Sequence, residues 1–130
     1  MNPYASAQRA YTESAVLTAP PERLILMLYD GAIRCLSQGA VALRRNDIPQ
    51  ARERVRRAEA IIDELNWSLD MSHGEVPERL RAIYLFCKRH LIEATIQKDP
   101  DRIATVQRLL GELREAWEQI ATAPAAGKAA

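Results

Sequence analysis

Two histidines, two cysteines and a cluster of arginines are the residues of this chain whose types could do chemistry. His73 and His90 could bind a metal or carry a phosphoryl group, and Cys35 and Cys87 could serve a metal or redox site. Their spacing argues against each use. A di-iron helical bundle needs Glu-x-x-His pairs on two helices, and neither histidine has a Glu three residues before it. A Cys₂His₂ zinc site needs close pairs, whereas Cys35 and Cys87 are far apart and both fall in apolar helical patterns. They read as buried free thiols, which fits a reducing, cytoplasmic setting. There is no Gly-rich phosphate loop and no Gly-x-Ser-x-Gly elbow. His90, in Lys88-Arg89-His90-Leu91, lacks a phosphotransfer motif around it and reads as a partly exposed structural residue. A histidine phosphotransfer domain is the third-ranked alternative. The expectation is a protein that is not an enzyme, with no catalytic residues, metal or cofactor.

The arginines Arg44, Arg45, Arg52, Arg54, Arg56 and Arg57 are interspersed with Glu53 and Glu59 and lie opposite an apolar seam. A solvated helix face explains them, with an acidic partner or RNA as the alternative. The formal net charge of +1 argues against nucleic-acid binding through bulk charge. No segment reads as the ~20 apolar residues that insert into a bilayer, and the start Met1-Asn2-Pro3-Tyr4 lacks the features of a secretory signal.

The elements that must position these residues are helical. The 130 residues suggest one domain, and an aromatic content of 5% favours aliphatic helix packing. Residues 1–17 (Tyr4, Tyr11, Val16 and Leu17 among them) read as a mobile arm. Residues 18–121 read as the bundle, and the alanine-rich 122–130 as a disordered tail. Pro20-Pro21 starts a first helix running to about Arg45. Asn46-Asp47 breaks it, with Asp47 as a cap and Gln50 as its box partner. The second helix carries the seam Ala51, Val55, Ala58, Ile62, Leu65 and Leu69, closed by Met71-Ser72-His73-Gly74. The third begins near Pro77 with the stripe Leu80, Tyr84, Cys87, Leu91 and Ala94. Asp99-Pro100 opens the fourth, with Ile103, Val106, Leu110, Leu113, Trp117 and Ile120. The short connections make this an all-α, antiparallel up-and-down four-helix bundle with a short N-terminal arm.

Two helices carry more apolar surface than one core needs. On the first, Leu24, Leu28, Ala32 and Cys35 are continued by Ile25, Tyr29, Ile33 and Leu36 into an arc roughly 200° wide, about twice the usual stripe. The third has a second stripe, Leu85, Ile92 and Ile96, away from its main one. These surpluses point to an external groove for a partner, lined by Ile25, Tyr29, Ile33, Leu85, Ile92 and Ile96. The alternative is a structural or regulatory bundle in which the flank is a homodimer interface.

The run Leu24-Ile25-Leu26-Met27-Leu28-Tyr29-Asp30-Gly31-Ala32-Ile33-Arg34, preceded by Tyr11 and Thr18-Ala19-Pro20-Pro21, resembles the FliS flagellar secretion chaperones. The likeness continues through Leu65 to Asp70, Gly74-Glu75-Val76, Leu80, Tyr84, Arg89-His90-Leu91, Asp99, and Leu109 to Trp117. It implies a cytoplasmic four-helix bundle that binds the disordered C-terminal region of flagellin. Such a chaperone prevents premature polymerisation and delivers the subunit to the flagellar export apparatus, and Tyr11 matches a displaceable N-terminal lid. Pro20 stands where the family usually has serine, Arg79 and Thr95 where asparagines are common, and His73 where glycine is usual. Losing the serine cap affects the helix start by about 1 kcal/mol.

Overall fold

Pro20 accepts backbone hydrogen bonds from Arg23 and Leu24 at 2.9 and 3.0 Å and offers no side-chain cap, so Pro21 starts the first helix unaided. The structure, a computed structural model, describes residues 20–121. The expected arm and tail, with Tyr11, lie outside the described residues. Four helices follow: α1 Pro21–Arg44, α2 Ile48–Trp67, α3 Glu75–Gln97 and α4 Pro100–Ala121. A 3₁₀ turn, Met71–His73, stands between α2 and α3.

The corners explain the helix ends. Asn46 takes a left-handed φ of 60°, its N–H reaching Leu43 at 3.0 Å while Asp47 N–H reaches Ala42 at 2.8 Å. These are the two bonds of a Schellman closure, with asparagine in place of the usual glycine. Asp47 then turns from closing α1 to opening α2, its Oδ1 accepting from Gln50 N–H at 3.3 Å. The reciprocal half of the expected box does not form, because the Asp47 N–H is already held by Ala42. The α3–α4 corner repeats the device. Lys98 is left-handed (φ 54°), Asp99 N–H reaches Ala94 at 2.9 Å, and Asp99 Oδ1 accepts from Asp101 N–H at 3.0 Å. Between α2 and α3, Gly74 at φ 85°, ψ −138° occupies a region essentially restricted to glycine. That lets α3 start at Glu75, two residues before the expected Pro77, which falls in the first turn where its missing N–H goes unnoticed.

α1 packs on α2 and α4, and α3 sits at the opposite corner against the same two helices, held less closely than α1. The α1–α2 approach depends on small residues. A Cβ added at Gly39 would lie 3.3 Å from Val55 Cγ2 and 3.7 Å from the Ala51 carbonyl oxygen. Buried Ala42, Ala51 and Ala58 belong to the same close-packed core. Of the expected α2 seam, Ala51, Val55, Ala58, Ile62 and Leu65 are buried, whereas Leu69 falls after the helix end and is half-buried; Tyr84, Cys87, Leu91 and Ala94 of α3 and Ile103, Val106 and Leu110 of α4 are buried. Leu80, Leu113 and Trp117 are half-buried against this core. Ile120 is exposed.

One expectation needs correcting. α1 is long and apolar enough to cross a membrane by length and composition, the one such helix among the described residues. Its apolarity belongs to the bundle interior, where Leu26, Tyr29, Ala32, Leu36, Ala40 and Leu43 are all buried.

Candidate functional site

The conspicuous Tyr29-Asp30-Gly31 run turns out to be the device that assembles the bundle. Tyr29 is fully buried (0% exposed), and its hydroxyl lies 2.6 Å from that of Tyr84, joining α1 to α3 across the core. Burial pushes both hydroxyls above the ordinary tyrosine range, while the bond to Tyr84, and after it the Trp117 side chain, pull Tyr29 the other way. Asp30 accepts from the Arg114 guanidinium of α4, whose Nη1 also donates to Glu118 at 2.6 Å. A Cβ on Gly31 would come within 3.3 Å of Ile61 on α2. Consecutive residues thus tie α1 to α3, α4 and α2 in turn.

Tyr29 is therefore not a groove residue, because a side chain with no exposed surface cannot meet a partner in the folded state. Ile25 and Ile33 are half-buried, packed against the core cluster alongside Leu28 and Cys35. The interior takes up part of the broad arc of α1, Leu26, Tyr29, Ala32 and Leu36, while Leu24, Ile25, Leu28, Ile33 and Cys35 are half-buried at its edges. Since α1 and α3 occupy opposite corners, Ile25 and Ile33 do not share one groove with Leu85, Ile92 and Ile96.

The second stripe of α3 stays on the outside. Leu85, Ile92 and Ile96 are 41%, 47% and 74% exposed on the side away from Tyr84, Cys87, Leu91 and Ala94. Beside it Phe86, also exposed, stacks on His90 with ring centroids 5.1 Å apart. The ridge borders α2, and one ion pair crosses between the two helices: Lys88 Nζ donates to Asp63 Oδ1 at 2.6 Å. Further along this border lies a hollow lined by Arg52, Val55, Arg56 and Glu59 of α2 and Thr95 of α3. Thr95 Oγ1 donates to the Ile92 carbonyl at 2.9 Å, which keeps its hydroxyl satisfied at the edge of the hollow. Desolvation raises the Glu59 carboxyl above its usual range, against the opposing pull of Lys88.

Of the other groups considered, Cys35 and Cys87 are free thiols. Burial pushes Cys87 up to about 11, so it remains protonated and unreactive at neutral pH. Arg56 and Arg57 pair with Glu53 on their own helix at 3.4 and 3.1 Å, as a solvated face should. His73 lies 3.0 Å from Asp70 at the 3₁₀ turn. Sequence reasoning passed over Phe86, and also over Trp67, Met71 and Val76, exposed around the α2–α3 connection. Trp67 is 86% exposed. Its position on a helical wheel, opposite Ile62 and Leu65, was the signal that could have found it.

Among the described residues a closed core leaves apolar side chains outside it in two places, along the ridge of α3 and around the α2–α3 connection. A profile of the family described as "Flagellar protein FliS" matches residues 4–124. The Flagellar secretion chaperone FliS of Salmonella typhimurium is 37% identical over 122 residues, covering 89% of this chain and 90% of the relative. That of Bacillus subtilis is 34% identical, covering 91% and 85%. That of Campylobacter jejuni is 35% identical, covering 88% and 90%. These relatives are named as chaperones, not enzymes. With the match running through all four helices and their corners, the chain belongs to the FliS family of flagellar secretion chaperones.

Proposed function

We propose that this chain is a cytoplasmic, non-enzymatic export chaperone for flagellin, binding its disordered C-terminal region along the outer ridge of α3. Binding there holds the subunit back from premature polymerisation and presents it to the flagellar export apparatus. The observation that carries this reading is the exposed stripe Leu85, Ile92 and Ile96 on a helix whose opposite face is fully packed. A client segment that folds into an amphipathic helix would set its apolar residues on this stripe, a helix-in-groove mode of recognition. The client's ordering entropy holds affinity below what the contact area suggests. Ile25 and Ile33 contribute through the α1 packing that supports the bundle, and Tyr11 is a candidate lid over the empty surface.

The test is calorimetry with a flagellin C-terminal peptide. Binding should be lost in Ile92→Asp while far-UV circular dichroism is unchanged. Wild-type affinity in that variant would refute the ridge as the binding surface. Light scattering separates the homodimer reading, since a tight dimer indifferent to added flagellin would assign the same ridge to a second copy.

A further inference from the structure

Three large apolar side chains stand exposed where α2 gives way to α3, and the proposed function makes no use of them. Trp67 is the last residue of α2, Met71 sits in the 3₁₀ turn and Val76 in the first turn of α3. Their exposures are 86%, 42% and 66%. A tryptophan ring alone offers about 150–250 Å² to a partner. The whole patch amounts to a few hundred Å², short of the ~800 Å² a side that a stable dimer buries. A second copy is therefore a poor occupant. A segment already tied to the bundle needs much less area, because its effective concentration is on the order of millimolar.

Such a segment enters beside the patch. Gly31 faces Ile61 and Gly39 faces Val55, which fixes how α1 and α2 lie against each other. Carried along both helices, that register sets Ile25 level with Trp67. The chain before Pro21 therefore meets the bundle about one helical turn, some 6 Å, beyond the level of Trp67. Its apolar pair Val16-Leu17 precedes Pro20 by four and three residues, a span of up to about 10–14 Å. Packed helix axes lie about 8–10 Å apart, so the pair reaches across α1 to the end of α2. The ridge is out of its range: α3 stands at the opposite corner from α1, about 13 Å across the diagonal before its outward side chains begin. Val16 and Leu17 are flanked by Ser14, Ala15, Thr18 and Ala19, so their docking brings no charge against Glu64 or Asp70 beside the patch.

We propose that Val16 and Leu17 dock on Trp67 and Met71, with Val76 at the edge, and so anchor the N-terminal arm at the α2–α3 connection. The inference stands on the point of entry and the uncovered patch, and does not depend on the chaperone reading. The anchor directs the arm to the α2–α3 side of the bundle, where the ridge begins at Leu85.

The experiment uses the full chain carrying Trp117→Phe, which leaves Trp67 as its one tryptophan. Adding Val16→Asp and Leu17→Asp should shift Trp67 emission to the red and raise its quenching by acrylamide several-fold, with far-UV circular dichroism unchanged. Should Trp117→Phe cost helicity, the same two arm substitutions in the chain with both tryptophans give the difference instead. Identical emission and quenching with and without the arm substitutions would overturn the proposal. Shielding of Trp67 that survives those substitutions and disappears on dilution would overturn it too, by assigning the patch to a second copy. No flagellin peptide is present, so the result bears on the arm alone.

Discussion

Replacing Tyr29 by Phe tests the assembly logic of the core most directly. The two tyrosine hydroxyls lie 2.6 Å apart with side chains 0% and 2% exposed, so neither can turn to water when its partner is removed. An orphaned buried hydroxyl costs about 1–3 kcal/mol. Tyr84→Phe strands the Tyr29 hydroxyl in the same dry core and should cost about 1–3 kcal/mol. Tyr29→Phe strands the Tyr84 hydroxyl and should cost about 2 kcal/mol, lowering Tm by roughly 6–10 °C in a domain of this size. The double variant removes both polar groups and should lie nearer the wild type than Tyr29→Phe does, a non-additivity of about 1 kcal/mol or more. Urea denaturation followed by circular dichroism, run as a double-mutant cycle, measures it. Additive losses, or single variants within about 0.3 kcal/mol of wild type, would refute the claim that this hydrogen bond links α1 to α3.

The same burial predicts alkaline sensitivity. Folded-state pKa values raised above the unfolded ones keep Cys87, Tyr29 and Tyr84 protonated only in the native chain, so stability should fall as pH rises through about 9 to 11 and beyond. A Tyr29→Phe/Tyr84→Phe variant should lose less of its remaining stability over that range in a pH-dependent melt. Gly39→Leu should cost about 1–3 kcal/mol by forcing α1 from α2. Gly111→Ala, where an added Cβ meets nothing within 4 Å in a helix interior, should stabilise by about 0.5–1 kcal/mol in the same denaturation assay. Ile33→Glu, in contrast to Ile92→Asp, should lower Tm whether or not it affects binding, because Ile33 packs on the core cluster.

Helix number, order and most boundaries were legible from punctuation and period. Asp47 and Asp99 act as the expected caps, and the α2 seam is buried from Ala51 to Leu65. The exposed stripe of α3 could be read because it lies nearly opposite a complete core stripe, and one helix face cannot serve both. The α1 arc could not be resolved the same way. A wide apolar arc looks identical whether it meets two helices or a partner, and the close approach to α2 allowed by Gly31 and Gly39 leaves no mark in the apolar pattern. Tyr29 was misplaced for a related reason. A tyrosine reads as half-wet from sequence, and its dry position depends on a second hydroxyl 55 residues away, which no local pattern reveals.

The adjacent Tyr29, Asp30 and Gly31, through which α1 meets its three companions, have a consequence for how relatives should be compared. Their duties are internal, so the most recognisable word in the chain certifies the scaffold and is silent about the cargo. On the proposed reading, two proteins sharing it can carry different passengers, told apart by the residues on the outer side of α3, where drift leaves the scaffold standing.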